Sequence, residues 1–216
     1  MAVTDADRDA RPESRWPPLI ALFVAAALDA TLPGNVILGG GWLQWIIPAL
    51  VVILIVVAAV PPVAETDRRR HVGIALAALV TLANTAAIGE LVYGIVDESG
   101  FDGKYLIVSA IQVWVTNTIV VGIWFWELDG GGPRRRALQP PGPHEFLFPQ
   151  HTLPGPWTWR PRFFDYLYLS VTNSTSFAPA DALPLRHRMK ALMGVQSLLS
   201  VLVIIIVAGR AINILG

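Results

Sequence analysis

Apolar residues gather in four long runs and one shorter one, separated by segments dense in charge, Pro or Gly. Residues 42–63, 72–96, 105–126 and 189–215 are each long enough to cross a hydrocarbon layer about 30 Å thick as a helix. The first of these stops at Pro61 and Pro62, ahead of the charged stretch ETDRRRH, because a helix interior does not tolerate proline. The last exceeds the length required and is expected to tilt or to project past the bilayer. Residues 17–32 are apolar but short and carry Asp29. They fit a first span; a secretory signal peptide is the alternative, opposed by a charge-mixed leader and the lack of a clean cleavage site. Residues 1–16 mix Asp, Arg, Glu and Pro and read as a disordered lead.

Two unlike segments separate the fourth span from the last. Residues 127–161 are crowded with Pro and Gly, so no helix or strand of length is expected there. Gly130, Gly131, Gly132 and Pro133 read as the stop of the preceding helix, not as a phosphate-cradling loop. Phe146, Phe148, Trp157 and Trp159 place this loop along the membrane interface, or else hold together a small packed cap. Residues 162–178 begin apolar and aromatic and end in the polar run 172–176, the pattern of a half-helix that dips into a membrane and stops inside. The expected fold is therefore all-α and integral to a membrane, with about five transmembrane helices plus one re-entrant, pore-helix-like segment. Its parts are the lead (1–16), a four-helix transmembrane part (17–126), an interfacial loop (127–161) and the half-helix with the last helix (162–216).

Composition agrees with this. Hydrophobic residues make up 54% of the 216 and charged ones only 15%, with a mean hydropathy of +0.54, so lipid is the expected solvent and partner. Sixteen basic residues balance sixteen acidic ones, which removes any global field toward nucleic acid. The absence of cysteine excludes disulfides, thiolate metal sites and thiol catalysis. Four scattered histidines lack ligand spacing, and no nucleophile with a base is evident, so no catalytic residue, metal or cofactor is expected and an enzyme is the least favoured class.

Charge placement sets an expected topology. The basic runs Arg68 to Arg70, Arg134 to Arg136 and Arg186 to Lys190 belong on the cytoplasmic side, and the acidic link at 97–102 outside. One arrangement satisfies all four in a multi-pass protein of the inner or plasma membrane. Its amino terminus is cytoplasmic, residues 162–178 dip in from the cytoplasmic side, and the last helix ends outside. A dipping segment that crossed fully would raise the count from five to six. Arg134 to Arg136 also stand beside Glu127 and Asp129 and have local pairing as a second reading.

Polar residues inside apolar runs carry further information, since a charge at mid-bilayer costs roughly 2.5 to 3.5 kcal/mol. Glu90, with Asn84, Asp29 and Asn117, could coordinate sodium or relay protons as a midplane cluster. The plainer reading is interhelical hydrogen bonding, worth about 0.6 kcal/mol per contact. Asp165 and Arg210, near helix ends, read as snorkelling or paired.

The stretch FDYLYLSVTNSTSFAPADALPLRHRMK resembles, without gaps, the pore loop of potassium channels. Tyr168 and Ser170 match the pore-helix aromatic and serine, Thr175 and Ser176 the paired threonines, Asp181 the filter aspartate and Pro184 the proline beyond it. The resemblance implies a homotetramer around a monovalent-cation path, with Thr172, Asn173, Ser174, Thr175, Ser176, Phe177, Ala178, Pro179, Ala180 and Asp181 as its pore- and filter-like residues. Ala178 and Ala180 stand where the filter glycines belong and Pro179 at the filter tyrosine. Alanine at positive φ costs about 1 to 2 kcal/mol, and proline cannot reach it, so what is implied is a wider, poorly selective mouth or a fold that no longer conducts. Potassium channels place this loop on the outer face, so here the module would be inverted, as in ionotropic glutamate receptors. From about residue 113 onward, WFWELDGGGPRRR, FLFPQ, FFDYLYLSVTNSTSFAPADALPL, Gln196 with Ser197, and the run from Arg210 to Asn213 also resemble an uncharacterised bacterial multi-spanning family, which implies no activity. Three functions follow: a channel-like tetramer, an ion-coupled transporter built on the intramembrane polar residues, and a non-conducting membrane scaffold that binds through residues 127–161.

Overall fold

The computed structural model describes residues 13–32, 52, 67–96, 103–154, 159–176 and 182–215. The expected span at 42–63 apart from Val52, the acidic link at 97–102, Trp157, and the filter-like residues Phe177, Ala178, Pro179, Ala180 and Asp181 lie outside them. Helices α1 (Trp16–Ala30), α2 (Asp67–Val96), α3 (Gly103–Leu128), the short α4 (Pro133–Leu138), α5 (Phe163–Ser176) and α6 (His187–Leu215) carry most of the described chain. Among the described residues, three stretches are long and apolar enough to cross a membrane: Arg70–Tyr93, Leu106–Leu138 and His187–Gly209. These coincide with the apolar runs at 72–96, 105–126 and 189–215, while α1 is apolar but shorter.

Local chemistry explains the boundaries. Prolines 17 and 18 stand in the first turn of α1, where a missing N–H breaks no helical bond. Thr31 closes that helix, its N–H and hydroxyl both donating to carbonyls of the last turn. Helix α3 ends where Gly130, Gly131 and Gly132 take φ of 58°, 78° and 98°, a run that residues with a side chain resist, and Pro133 then opens α4. At the start of α5 the Arg162 N–H donates to Asp165 Oδ2 over 2.7 Å, the reciprocal half of a capping box. Asp165 thus serves its own helix.

Helix α3 is the hub. In its apolar window 61% is buried, against 33% and 28% in the windows of α2 and α6. Its carboxyl-terminal end meets the start of α1 (Trp126 Nε1 to Glu13 Oε2, 2.7 Å), of α2 (Arg70 to Glu127, 3.7 Å) and of α5 (Tyr166 to Asp129, 2.5 Å). Its amino-terminal half meets the end of α1, through Gln112 and Thr31, and the far part of α6, through Val203. Helices α1, α2, α5 and α6 therefore all leave one charged end of the bundle, and among the described long helices α3 alone arrives there. Two apolar cores follow, a larger one near the charged end and a smaller one at the other.

The described residues of the Pro- and Gly-rich segment form a packed cap, into which Phe146 and Phe148 turn. Phe146 and Phe148 are buried, with Phe146 edge-on to Phe125 at 5.2 Å and Phe148 against Tyr166 at 5.5 Å and Trp159 at 5.6 Å. Strands β1 (Phe146–Leu147) and β2 (Leu183–Pro184) pair antiparallel, Phe146 opposite Pro184, and the Leu185 N–H donates to the Glu145 carbonyl. The cap thereby ties the chain just after α5 back to the end where α5 began.

Candidate functional site: a polar seam and a charged end

Helix α5 approaches α3 closely because Gly122 has no side chain: a Cβ there would lie 3.1 Å from the Leu167 Cα. That contact lets polar groups meet in a dry seam. Ser170 donates to the Thr118 carbonyl at 2.6 Å, and the Thr118 hydroxyl reaches Ser174 at 3.2 Å. Across the other side, Asn173 Nδ2 donates to the Met193 carbonyl and to Gln196 Oε1, and Gln196 Nε2 donates to the Ser170 carbonyl and hydroxyl. Ser170, Asn173, Ser174 and Gln196 are all at most 1% exposed. A network whose members are all satisfied holds α5 to α3 and α6 in one rotation.

This places the pore-like residues in two groups. Asn173 and Ser174 are engaged inside the chain, whereas Thr175 and Ser176 are exposed at the helix end and Thr172 is half-buried. The hydroxyls of Thr172, Ser174, Thr175 and Ser176 all donate to carbonyls of α5 itself. Among the described residues, the buried Asn84 Oδ1 has no hydrogen-bond partner. Asp29, Asn84 and Asn117 are buried and Glu90 is half-buried. Among the described residues, neither buried Asp29 carboxylate oxygen has a hydrogen-bond partner.

The second constellation, at the charged end, contains the local pairing read for Arg134 to Arg136 and adds residues that the sequence pattern did not single out, Glu13, Arg15 and Tyr166. Asp129 accepts from the Tyr166 hydroxyl at 2.5 Å and from the Glu145 N–H at 2.7 Å, and lies 4.0 Å from Arg136. Arg136 is itself buried, donates to the carbonyls of Trp126 and Asp129, and lies 5.0 Å from the Tyr166 ring centre. Glu127 sits between Arg15 at 3.9 Å and Arg70 at 3.7 Å. Glu13 accepts from Trp126 Nε1 and from the Phe163 N–H, joining α1 to both α3 and α5. Local pairing of the 134–136 run is thus realised at Arg136, while Arg134 and Arg135 are exposed. The available signal was two acids on either side of the end of an apolar run, followed by three arginines.

The cap carries a titratable element. His151 Nδ1 accepts from the Phe148 N–H at 3.3 Å, and its ring faces Trp159 at 5.2 Å. Burial lowers the His151 pKa, with Asp129 opposing and His144 adding to the shift. Burial likewise lowers that of His144, with Asp129 and Glu145 opposing and Arg136 and Arg160 reinforcing. Both imidazoles therefore bind protons less readily folded than unfolded. Their stabilisation is fully present above the unfolded value of 6.5 and is lost as pH falls below it toward the folded values. Thermal unfolding followed from neutral to mildly acidic pH is expected to show declining stability of the cap, with a shallower decline in His151→Gln. A profile flat across that range would contradict this assignment.

No family model matches the chain, and neither a curated protein nor a solved structure matches it.

Proposed function

We propose that this is a multi-pass membrane protein in which α5 is a re-entrant half-helix, and that copies assembled around α5 pass monovalent cations without potassium selectivity. The observation that carries the reading is that α5 and α6 start from the same charged end. Fourteen residues of α5 rise about 21 Å into the bundle, and the seven steps from Ser176 to Leu183 span about 23 Å extended, enough for a direct return. Helices α1 and α2 also both leave that end, and residues 42–63 form the apolar run long enough to bring the chain back between them. Five crossings plus one dip result, with the arginine-rich end and the amino terminus cytoplasmic. The carbonyl end of α5 carries the negative pole of its dipole, and together with the exposed Thr175 and Ser176 it favours a cation.

A chain without cysteine permits a direct test. Single cysteines replacing the exposed Arg162 and Arg186 are expected to react with an impermeant maleimide from the same face of sealed vesicles. Reaction from opposite faces would turn α5 and its return into a full crossing. Reconstituted vesicles should dissipate potassium and sodium gradients at similar rates, faster than empty ones, and Thr175→Val should change that rate. Gradients that persist as in empty vesicles would end the conducting reading.

A second reading, ion-coupled transport, is favoured by Asp29, whose buried carboxylate lacks a hydrogen-bond partner among the described residues. In that case Asp29→Asn abolishes coupled uptake and leaves the fold intact.

A further inference from the structure

A polar layer separates the two apolar cores. On α1 the core-facing residues pass from Ala26 in the larger core to Leu32 in the smaller, and the buried residue between them is Asp29. On α2 the interval from Val80 to Ala87 holds Asn84, and on α3 the interval from Val113 to Val120 holds Thr116, Asn117 and Thr118. On α6 Gln196 and Ser200 fill the interval between Met193 and Val203. Every buried residue in these four intervals is polar, where apolar side chains would have joined the cores into one. Helix α5 satisfies Thr118 and Gln196, through Ser174 and Ser170. By contrast, among the described residues both carboxylate oxygens of Asp29, Asn84 Oδ1 and Thr116 Oγ1 are buried without a hydrogen-bond partner.

Helix geometry puts these three side chains at one height. Leu22 and Ile123 line the same small cavity, and seven residues, about two turns, onward along α1 and back along the antiparallel α3 lead to Asp29 and Thr116. A Cβ on Gly73 would lie 3.4 Å from Glu127 Oε1, and eleven residues, about three turns, onward along α2 and back along α3 lead to Asn84 and again to Thr116. Gln112 stands one turn from Thr116 on the same face of α3. Its Nε2 donates to Thr31 Oγ1 at 2.9 Å, at the end of α1, and its buried Oε1 is a further acceptor without a partner. The set is therefore five buried oxygens from three helices, with one formal negative charge, and among the described residues no donor reaches any of them. A carboxylate in apolar surroundings needs a counter-charge. A proton on Asp29 would supply a donor to a single neighbour, and a divalent ion would leave a positive charge uncompensated. A monovalent metal ion neutralises the carboxylate and engages every oxygen of the set, and oxygen donors without nitrogen or sulfur suit a hard cation. We propose that Asp29, Asn84, Gln112 and Thr116 form a binding site for one alkali cation, set between the two cores where α1, α2 and α3 meet.

This inference deepens the ion-coupled reading of Asp29 by naming the ion class and its ligands, and it requires no transport cycle, so binding and uptake are measured apart. Full-length protein in lipid discs is unfolded thermally in rising sodium chloride, with choline chloride holding the ionic strength constant. The midpoint is expected to rise with sodium, as it does for any ligand held by the folded state alone, and the dependence gives an apparent affinity. Asp29→Asn should abolish the rise. Thr116→Val keeps the shape and loses one oxygen, so it should weaken the affinity by at least about tenfold, no less than disturbing an outer-shell partner of a bound metal does. Thr85→Val, beside Asn84 on the exposed side of α2, should leave the affinity unchanged. A midpoint equal in sodium and choline, the result of a carboxylate that holds a proton instead, would overturn the site. So would a full sodium response in Thr116→Val, which decides the matter even where Asp29→Asn fails to fold. Sodium-dependent stabilisation without any coupled uptake by vesicles would uphold the site and end the transport reading. Proton-driven uptake without a sodium response would overturn the site and uphold transport.

Discussion

Replacing Asp129 with alanine is expected to be the most damaging single substitution in the described structure, at a cost of about 3 to 5 kcal/mol. The carboxylate is 1% exposed and serves three elements at once: Tyr166 of α5, the Glu145 N–H ahead of β1, and Arg136 of α4. Its removal leaves the fully buried Tyr166 hydroxyl without its acceptor and Arg136 without its counter-charge, with only the backbone carbonyls of Trp126 and residue 129 still accepting from the guanidinium. Asp129→Asn retains an acceptor oxygen and most of the shape, so it should lose less. Thermal unfolding in detergent, compared across wild type, Asp129→Asn and Asp129→Ala, would show that order. An alanine variant as stable as the wild type would mean that the charged end contributes little to holding the helices together.

Gly122→Val should produce the second largest effect, and it separates packing from propensity. In a helix interior, alanine is favoured over glycine by up to about 1 kcal/mol, so Gly122→Ala gains locally while its Cβ presses on the Leu167 backbone. Those opposed effects should leave the alanine variant near neutral. Valine adds two methyl groups with nowhere to go, and overpacking of this kind costs about 1 to 3 kcal/mol. Helix α5 would have to lift away from α3, breaking the Ser170 bond to Thr118. The reporter is a single cysteine in place of Ser174, buried in the seam and expected to react with maleimide faster when Gly122 is valine. An unchanged reaction rate would show that α5 is held by its seam to α6 alone.

The seam also bears on conduction. In a pore assembled from several chains, Asn173 and Ser174 could face the path only by giving up bonds to Gln196, Met193 and Thr118. The exposed Thr175 and Ser176 require no such exchange. Substitutions at these two are therefore expected to act on ion passage, and substitutions at Asn173 on stability.

Much of the architecture was legible in the chain. Runs 72–96, 105–126 and 189–215 became α2, α3 and α6, and the aromatic-then-polar stretch at 162–178 became the fourteen-residue α5. The glycine run ended α3 as its composition required. Of the aromatics in residues 127–161, Phe146 and Phe148 are buried in a packed cap.

Other features were not legible, for a shared physical reason. Apolar length and helix-stopping residues act over a few positions, so the sequence by itself determined where helices run, how long they are and that lipid suits them. Which side of a helix faces which neighbour depends on its rotation and on contacts from far along the chain. Tyr166 and Asp129 are 37 positions apart, and Asn173 and Gln196 are 23 apart. The sequence reading placed Asn173 among pore-like residues and Asp129 beside Arg134 to Arg136, and only the tertiary structure joined Asn173 to Gln196 and Asp129 to Tyr166. It did so by bringing α5 against Gly122 and closing the cap over Asp129, which removed water from those groups and left each other as the remaining partners.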